Sequence, residues 1–160
     1  MNEETPPSCT RDTRQTIDSM HAAIAAGGLT AQVPFFAERS KNHGFETTRD
    51  QLRGVLDDIE RTFPDVALEL LDLVVDGELA IGRYVMTGTH SGTQQLPFVH
   101  GGFLHGVPPT GRRFRTEHAH VFRVRDGQIV THDAVQDNLE MARQLGVLPA
   151  PTLAATPING

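Results

Sequence analysis

Between Phe114 and Arg125 the sequence alternates so regularly that it fixes much of what surrounds it. Phe114, Thr116, His118, His120, Phe122 and Val124 take one set of positions; Arg113, Arg115, Glu117, Ala119, Val121, Arg123 and Arg125 take the other. Successive side chains of a strand point to opposite faces, so the mainly apolar set faces an interior and the mainly charged set faces water. Two histidines therefore fall on the covered face, beside Phe122. A buried polar group costs free energy unless it finds a partner. His118 and His120 must satisfy each other and their neighbours, or line a cavity that a ligand enters. Two of them at adjacent inward positions favour the cavity.

The rest of the chain supplies the cover. Ile17, Met20 and Ile24 fall at helical spacing, predicting a helix over 11–26 that Gly27-Gly28 ends. A short helix is expected around Val33, Phe35 and Phe36. A third runs from Arg49 to Phe63, with Thr48 as cap, Pro64 as stop, and Leu52, Val55, Leu56, Ile59 and Phe63 as one apolar stripe. That stripe reads as core rather than as a binding surface. Two strands then flank Asp76-Gly77, over 66–75 and 79–92. A long loop covers 93–111, and Asp126-Gly127 turns the chain into a last strand over 129–135. A final short helix covers 138–145, capped by Asp137. Helices first and antiparallel strands afterwards indicate an α+β fold.

The 160 residues are the length of one domain, expected over 11–148, with disordered tails at 1–10 and 149–160. A net charge of −6 argues against nucleic acid or an anionic membrane as partner, since clustered Lys and Arg hold both. The single cysteine, Cys9, forms no internal disulfide. The first residues lack a secretory signal, and no apolar run approaches the ~20 residues that span a bilayer. The expected location is cytoplasmic.

The strand after Asp126-Gly127 carries His132 and Asp133, and only one of them can face the pocket. A two-residue turn would set Asp133 opposite His120; a three-residue loop with a bulge would bring His132 in, together with Ala134. The catalytic candidates are thus His120, His118, His132 and Asp133. Imidazole donates, accepts and titrates near neutrality, which suits proton transfer. His43, Tyr84, His90, Phe103 and Phe122 are candidate substrate contacts. The spacing of His118-x-His120, with His132 or His90, is also that of metal ligands.

Several segments resemble the SnoaL-like polyketide cyclases, also called ester cyclases. They are Phe63-Pro64-Asp65 after the long helix, Gly88-Thr89-His90-Ser91-Gly92, Pro108-Pro109-Thr110-Gly111-Arg112, Asp126-Gly127-Gln128-Ile129, Asp137, Gln144-Leu145-Gly146 and the pair Asn42-His43. The resemblance implies the cone-shaped fold of ketosteroid isomerase and nuclear transport factor 2. There a strongly curved antiparallel sheet wraps around N-terminal helices and leaves one deep apolar pocket. It also implies an aldol ring closure on a polyketide-like polycyclic carbonyl compound without cofactor or metal, in natural-product biosynthesis, often by a homodimer. His118 and His120 fall on the family's pocket positions. The family's catalytic aspartate falls on Ala134, which cannot move a proton. The family also implies that His132 and Ala134 face in and Asp133 out. The loop over 93–106 is either a lid, through Phe98, His100, Phe103 and His105, or a surface loop. A non-catalytic binding or accessory protein, and a SnoaL-like hydroxylase or epoxide-opening enzyme, are the alternative functions.

Overall fold

The structure, a computed structural model, describes residues 8–148. The tails expected at 1–10 and 149–160 lie outside these residues, except that 8–10 open the first helix. Helix α1 is Ser8–Gly27, and a 3-10 turn over Leu29–Phe35 replaces the second helix expected. Strands β1 (Phe36–Asn42) and β2 (Phe45–Thr48) come next, then α2 (Arg49–Thr62), β3 (Ala67–Asp76) and β4 (Leu79–Thr89). A loop containing a short 3-10 turn, Val99–Gly102, leads to β5 (Arg113–Arg125), β6 (Gln128–Gln136) and α3 (Asn138–Leu145).

Helix α2 starts where its sequence says it must. Thr48 Oγ1 accepts from Gln51 N at 3.2 Å, and Gln51 Oε1 accepts from Thr48 N at 2.9 Å, which satisfies two of the orphan donors of a helix N-terminus. The polar strands β1 and β2 carry no apolar alternation: only Phe36 and Ser40 of β1 are buried. They pair because His43 and Gly44 both adopt positive φ, 51° and 80°, closing a two-residue hairpin.

The six strands form one open sheet in the order β2-β1-β6-β5-β4-β3, antiparallel except for the β1–β6 pair. It is the expected α+β cone, but β2 and β3 are free edges and the sheet does not close into a barrel. One apolar cluster joins α1 and α2 to the sheet through Ile17, Met20, Leu52, Leu56, Tyr84 and Phe122. A second, of Phe63, Met86, Leu104, Phe114, Met141 and Leu145, seals the end nearest α3. Among the described residues no helix is long and apolar enough to cross a membrane.

Candidate active site

The register of β6 against β5 decides which side chains meet. Asp126 and Gly127, at φ 49° and 72°, make a two-residue turn that pairs Arg125 with Gln128 and Val124 with Ile129. The next pair is Arg123 with Thr131, so Val130 is an extra residue, a bulge. Beyond it Phe122 faces His132, His120 faces Ala134 and His118 faces Gln136. The two-residue turn and the inward His132 thus coexist, because the shift comes from the bulge and not from the turn. Asp133 pairs with Val121 on the outer face and is exposed. This removes Asp133 from the catalytic candidates.

The inner face of the sheet and the helices enclose a cavity of about 690 Å³. Leu52, Val55, Leu56 and Ile59 of α2 line it, so the stripe read as core alone is core and cavity wall together. His43, Tyr84, His118, His120, Phe122 and His132 line it as expected. His90 and Phe103 do not. His90 is fully buried beside Phe63, its Nδ1 3.2 Å from Thr110 Oγ1, where it ties the end of β4 to the loop. Phe103 packs against the second cluster. From the long loop Phe98, Val99, His100 and Gly101 reach the cavity, whereas His105 is exposed and bridges to Gln94.

The base of that loop is pinned by Asp58, whose side chain is 1% exposed. Its carboxylate accepts from Gln95 N at 3.0 and 3.1 Å, from Leu96 N at 3.0 Å and from Arg61 Nη1 at 3.0 Å. Sequence reasoning missed Asp58, because an acidic residue on a helix normally reads as solvated.

Polar contacts running from β5 through β6 to β1 organise the cavity. His120 Nδ1 lies 2.9 Å from His132 Nε2, and His132 Nδ1 lies 3.2 Å from Asn42 Oδ1. Asn42 donates its Nδ2 to Ser40 Oγ at 3.0 Å, which turns its oxygen toward His132. An amide oxygen only accepts, so His132 carries its hydrogen on Nδ1 and presents a bare Nε2. His120 must then donate from Nδ1, which leaves its Nε2 as an unprotonated lone pair. That Nε2 is buried without a partner among the described residues. The rings of His120 and His132 stack at 5.1 Å and 20°, and Phe122 stacks on His132 at 5.0 Å and 14°.

Burial favours the neutral rings. It holds His132 down to about 3, with His43 adding repulsion, and His118 down to about 4, with His100 adding to it. His120 is held well below its ordinary value by burial first and then by the neighbouring histidines, His132 foremost. His118 Nε2 meets Thr116 Oγ1 at 3.2 Å. Across the cavity, Tyr84 Oη and His21 Nε2 are 2.7 Å apart. Burial raises the Tyr84 hydroxyl and lowers His21, which Asp18 partly offsets. Sequence reasoning passed over His21, although it is four residues from Ile17 on the buried side of α1. Among the described residues no group of three or more His, Cys, Asp and Glu is placed to hold a metal ion. The facing nitrogens of His120 and His132 are engaged with each other.

An open, mostly antiparallel sheet curled over helices around a histidine-lined, largely apolar cavity defines the class as a cone-fold protein with a deep pocket. The chain belongs to the SnoaL-like polyketide cyclase family, whose model matches residues 15–145. Aklanonic acid methyl ester cyclase of Streptomyces peucetius is 49% identical over 53 residues, 33% of this chain and 36% of that protein. Nogalonic acid methyl ester cyclase of Streptomyces nogalater is 47% identical over 47 residues, 29% of this chain and 35% of that protein. These matches span about a third of the relatives' own length. The crystal structure of IdmH from Streptomyces antibioticus superposes with a TM-score of 0.65 at 32% identity, over 84% of this chain and 98% of that one.

Proposed function

We propose that the protein is a cofactor-independent cyclase that closes a ring on a polyketide-like polycyclic carbonyl compound, with His120 as its proton-transfer group. The observation that carries this reading is the chain Asn42–His132–His120, which ends in an unpartnered Nε2 on the wall of an apolar cavity. A neutral imidazole removes a proton from carbon when that carbon is acidified by adjacent carbonyls and the resulting enolate is stabilised. His120 Nε2 takes the carbon-bound proton, and the enolate carbon attacks a second carbonyl carbon of the same molecule. The new carbon–carbon bond leaves an alkoxide, to which His120 returns the proton. Tyr84, kept protonated by burial, donates its hydroxyl to the enolate oxygen while accepting from His21 Nε2.

Ala134 fits this reading. It stands directly across from His120 and, read as the family's aspartate position, leaves room where a carboxylate would otherwise act. The ester cyclase relatives supply the substrate to try. His120→Ala is expected to lose turnover of aklanonic or nogalonic acid methyl ester by at least about a hundredfold, the typical worth of a positioned base, and Tyr84→Phe to lose less. Full turnover in His120→Ala sinks the assignment. A ligand that binds saturably to the wild type and comes back unchanged favours a binding protein instead.

We also read the protein as a cytoplasmic homodimer. Val74, Ile81 and Val121 lie side by side across β3, β4 and β5 on the outer face, with Val74 65% and Ile81 41% exposed, an apolar row that suits a second copy. Sedimentation is expected to give a dimer that Ile81→Glu dissociates; a monomeric wild type rejects it.

A further inference from the structure

We propose that His100 and Asn138 form a second polar station in the cavity, one that accepts a hydrogen bond from a hydroxyl group of the ligand. This rests on reading the cavity as a small-molecule site, but not on the reaction assigned to His120.

His100 sits in the loop with φ 49° and ψ 38°. That left-handed backbone is uncommon outside glycine and persists where the surroundings over-determine it. Here they do: Nδ1 lies 3.3 Å from Gln136 Oε1, and the ring stands edge-on to Phe63 at 5.9 Å. Because an amide oxygen only accepts, Nδ1 carries the hydrogen and Nε2 is a bare acceptor. Burial, outweighing the Gln136 bond, keeps the ring neutral at physiological pH.

Nε2 of His100 is buried and meets no protein donor among the described residues, and Oδ1 of Asn138 is in the same state. Both residues line the cavity. They belong to one end of it: Gln136 and Asn138 flank the β6–α3 junction, and a Cβ on Gly101 would stand 3.5 Å from Asn138 Nδ2. The neighbouring His118 already has its Nε2 engaged with Thr116. Two buried acceptors without donors are costly unless a ligand supplies the hydrogen. The remaining wall is mainly apolar, with no Lys or Arg to hold an anion, and its carboxylate, Glu46, is exposed on β2, so burying a charge of either sign at this end would be expensive. The matching group is therefore a neutral hydroxyl, phenolic or enolic, on an otherwise apolar ring system, with its one hydrogen shared between the two acceptors. Gln136 faces His118 in register, one inward position along from the Ala134–His120 pair. The hydroxyl would thus sit about 7 Å along the strands from the proton-transfer group, the span of two strand residues.

Calorimetric binding of 2-naphthol and of 2-methoxynaphthalene, which lacks the hydrogen but keeps the ring, tests this without any turnover. The wild type is expected to bind the naphthol about tenfold more tightly, the worth of one good hydrogen bond. His100→Phe and Asn138→Leu should each bring the ratio toward one, while His120→Phe preserves it. Equal affinities in the wild type overturn the proposal, as does a preference that survives in His100→Phe or is lost only in His120→Phe. If the strained backbone keeps His100→Phe from folding, an unchanged ratio in Asn138→Leu overturns it alone. A wild type that binds the naphthol preferentially but turns over neither methyl ester would reject the cyclase reading and leave this station standing.

Discussion

His120 Nδ1 and His132 Nε2 face each other at 2.9 Å, and the polarity of that bond is set by a third residue. Asn42 Oδ1 accepts from His132 Nδ1, so each imidazole donates from Nδ1 and the lone pair emerges at His120 Nε2. Long-range proton–nitrogen NMR is expected to show His120 protonated on Nδ1 alone at neutral pH. Asn42→Leu removes the acceptor, frees the opposite tautomer, and should cost turnover on the order of tenfold or more, as a wrongly held tautomer does in other imidazole bases. A protonated Nε2 on His120 in the wild type would reverse the assigned roles.

How much of this was legible in the sequence differs from part to part. The alternation over β5 put His118 and His120 on the inner face, and the Thr48 cap and apolar stripe located α2 to within a residue. The His132-versus-Asp133 choice was not legible from alternation and turn residues, because a bulge at Val130 leaves no composition signal while moving every later side chain of β6 by one face; the family resemblance alone pointed to His132 and Ala134 inward, as the register has them. Strands β1 and β2 were invisible for a related reason. They are polar strands at one margin of the sheet, β2 its free edge and β1 beside it, held by backbone pairing, and with them went Asn42, whose role depends on the parallel contact with His132. His90 was misplaced because a buried histidine at the end of a strand looks the same in sequence whether it meets a ligand or a threonine.

Acid should unfold the protein before its carboxylates are exhausted. His100, His118 and His132 are held by burial at about 4, about 4 and about 3, below the ordinary 6.5. A depressed histidine binds fewer protons in the folded state than in the unfolded one between those values. Its contribution is therefore complete above pH 6.5 and lost as pH falls toward the folded value. One such residue costs on the order of 2 kcal/mol at pH 5. Thermal melts are expected to fall steeply between pH 6.5 and 4, and less steeply in His118→Phe. A melting temperature flat over that window would show that these rings are solvated.

Asp58 holds the loop that carries His100. Its buried carboxylate accepts three backbone contacts from Gln95 and Leu96 and one from Arg61. Asp58→Ala leaves two amides without acceptors, at a cost on the order of 3 kcal/mol. The loss should be local in character: hydrogen exchange speeds up at Gln95 and Leu96, while the His120–His132 pair keeps its NMR signature. Unchanged exchange at those two amides would mean that Asp58 does not anchor the loop.

Gly82 governs where Tyr84 can lie. A Cβ added there would stand 2.5 Å from Tyr84 Cε2 and 2.6 Å from its hydroxyl oxygen, so only glycine lets the ring fold back along its own strand toward His21. Overpacking of this kind costs about 1–3 kcal/mol. Gly82→Ala is expected to pay it by swinging the ring away, which breaks the 2.7 Å contact with His21. The ring also stands edge-on to His120 at 4.8 Å, so displacing Tyr84 changes the surroundings of His120 as well. The readouts are a lowered melting temperature and a shifted tyrosine absorbance, which is unambiguous because Tyr84 is the chain's single tyrosine and there is no tryptophan. Gly82→Ala with wild-type stability and an unmoved spectrum would show that the sheet yields instead of the ring.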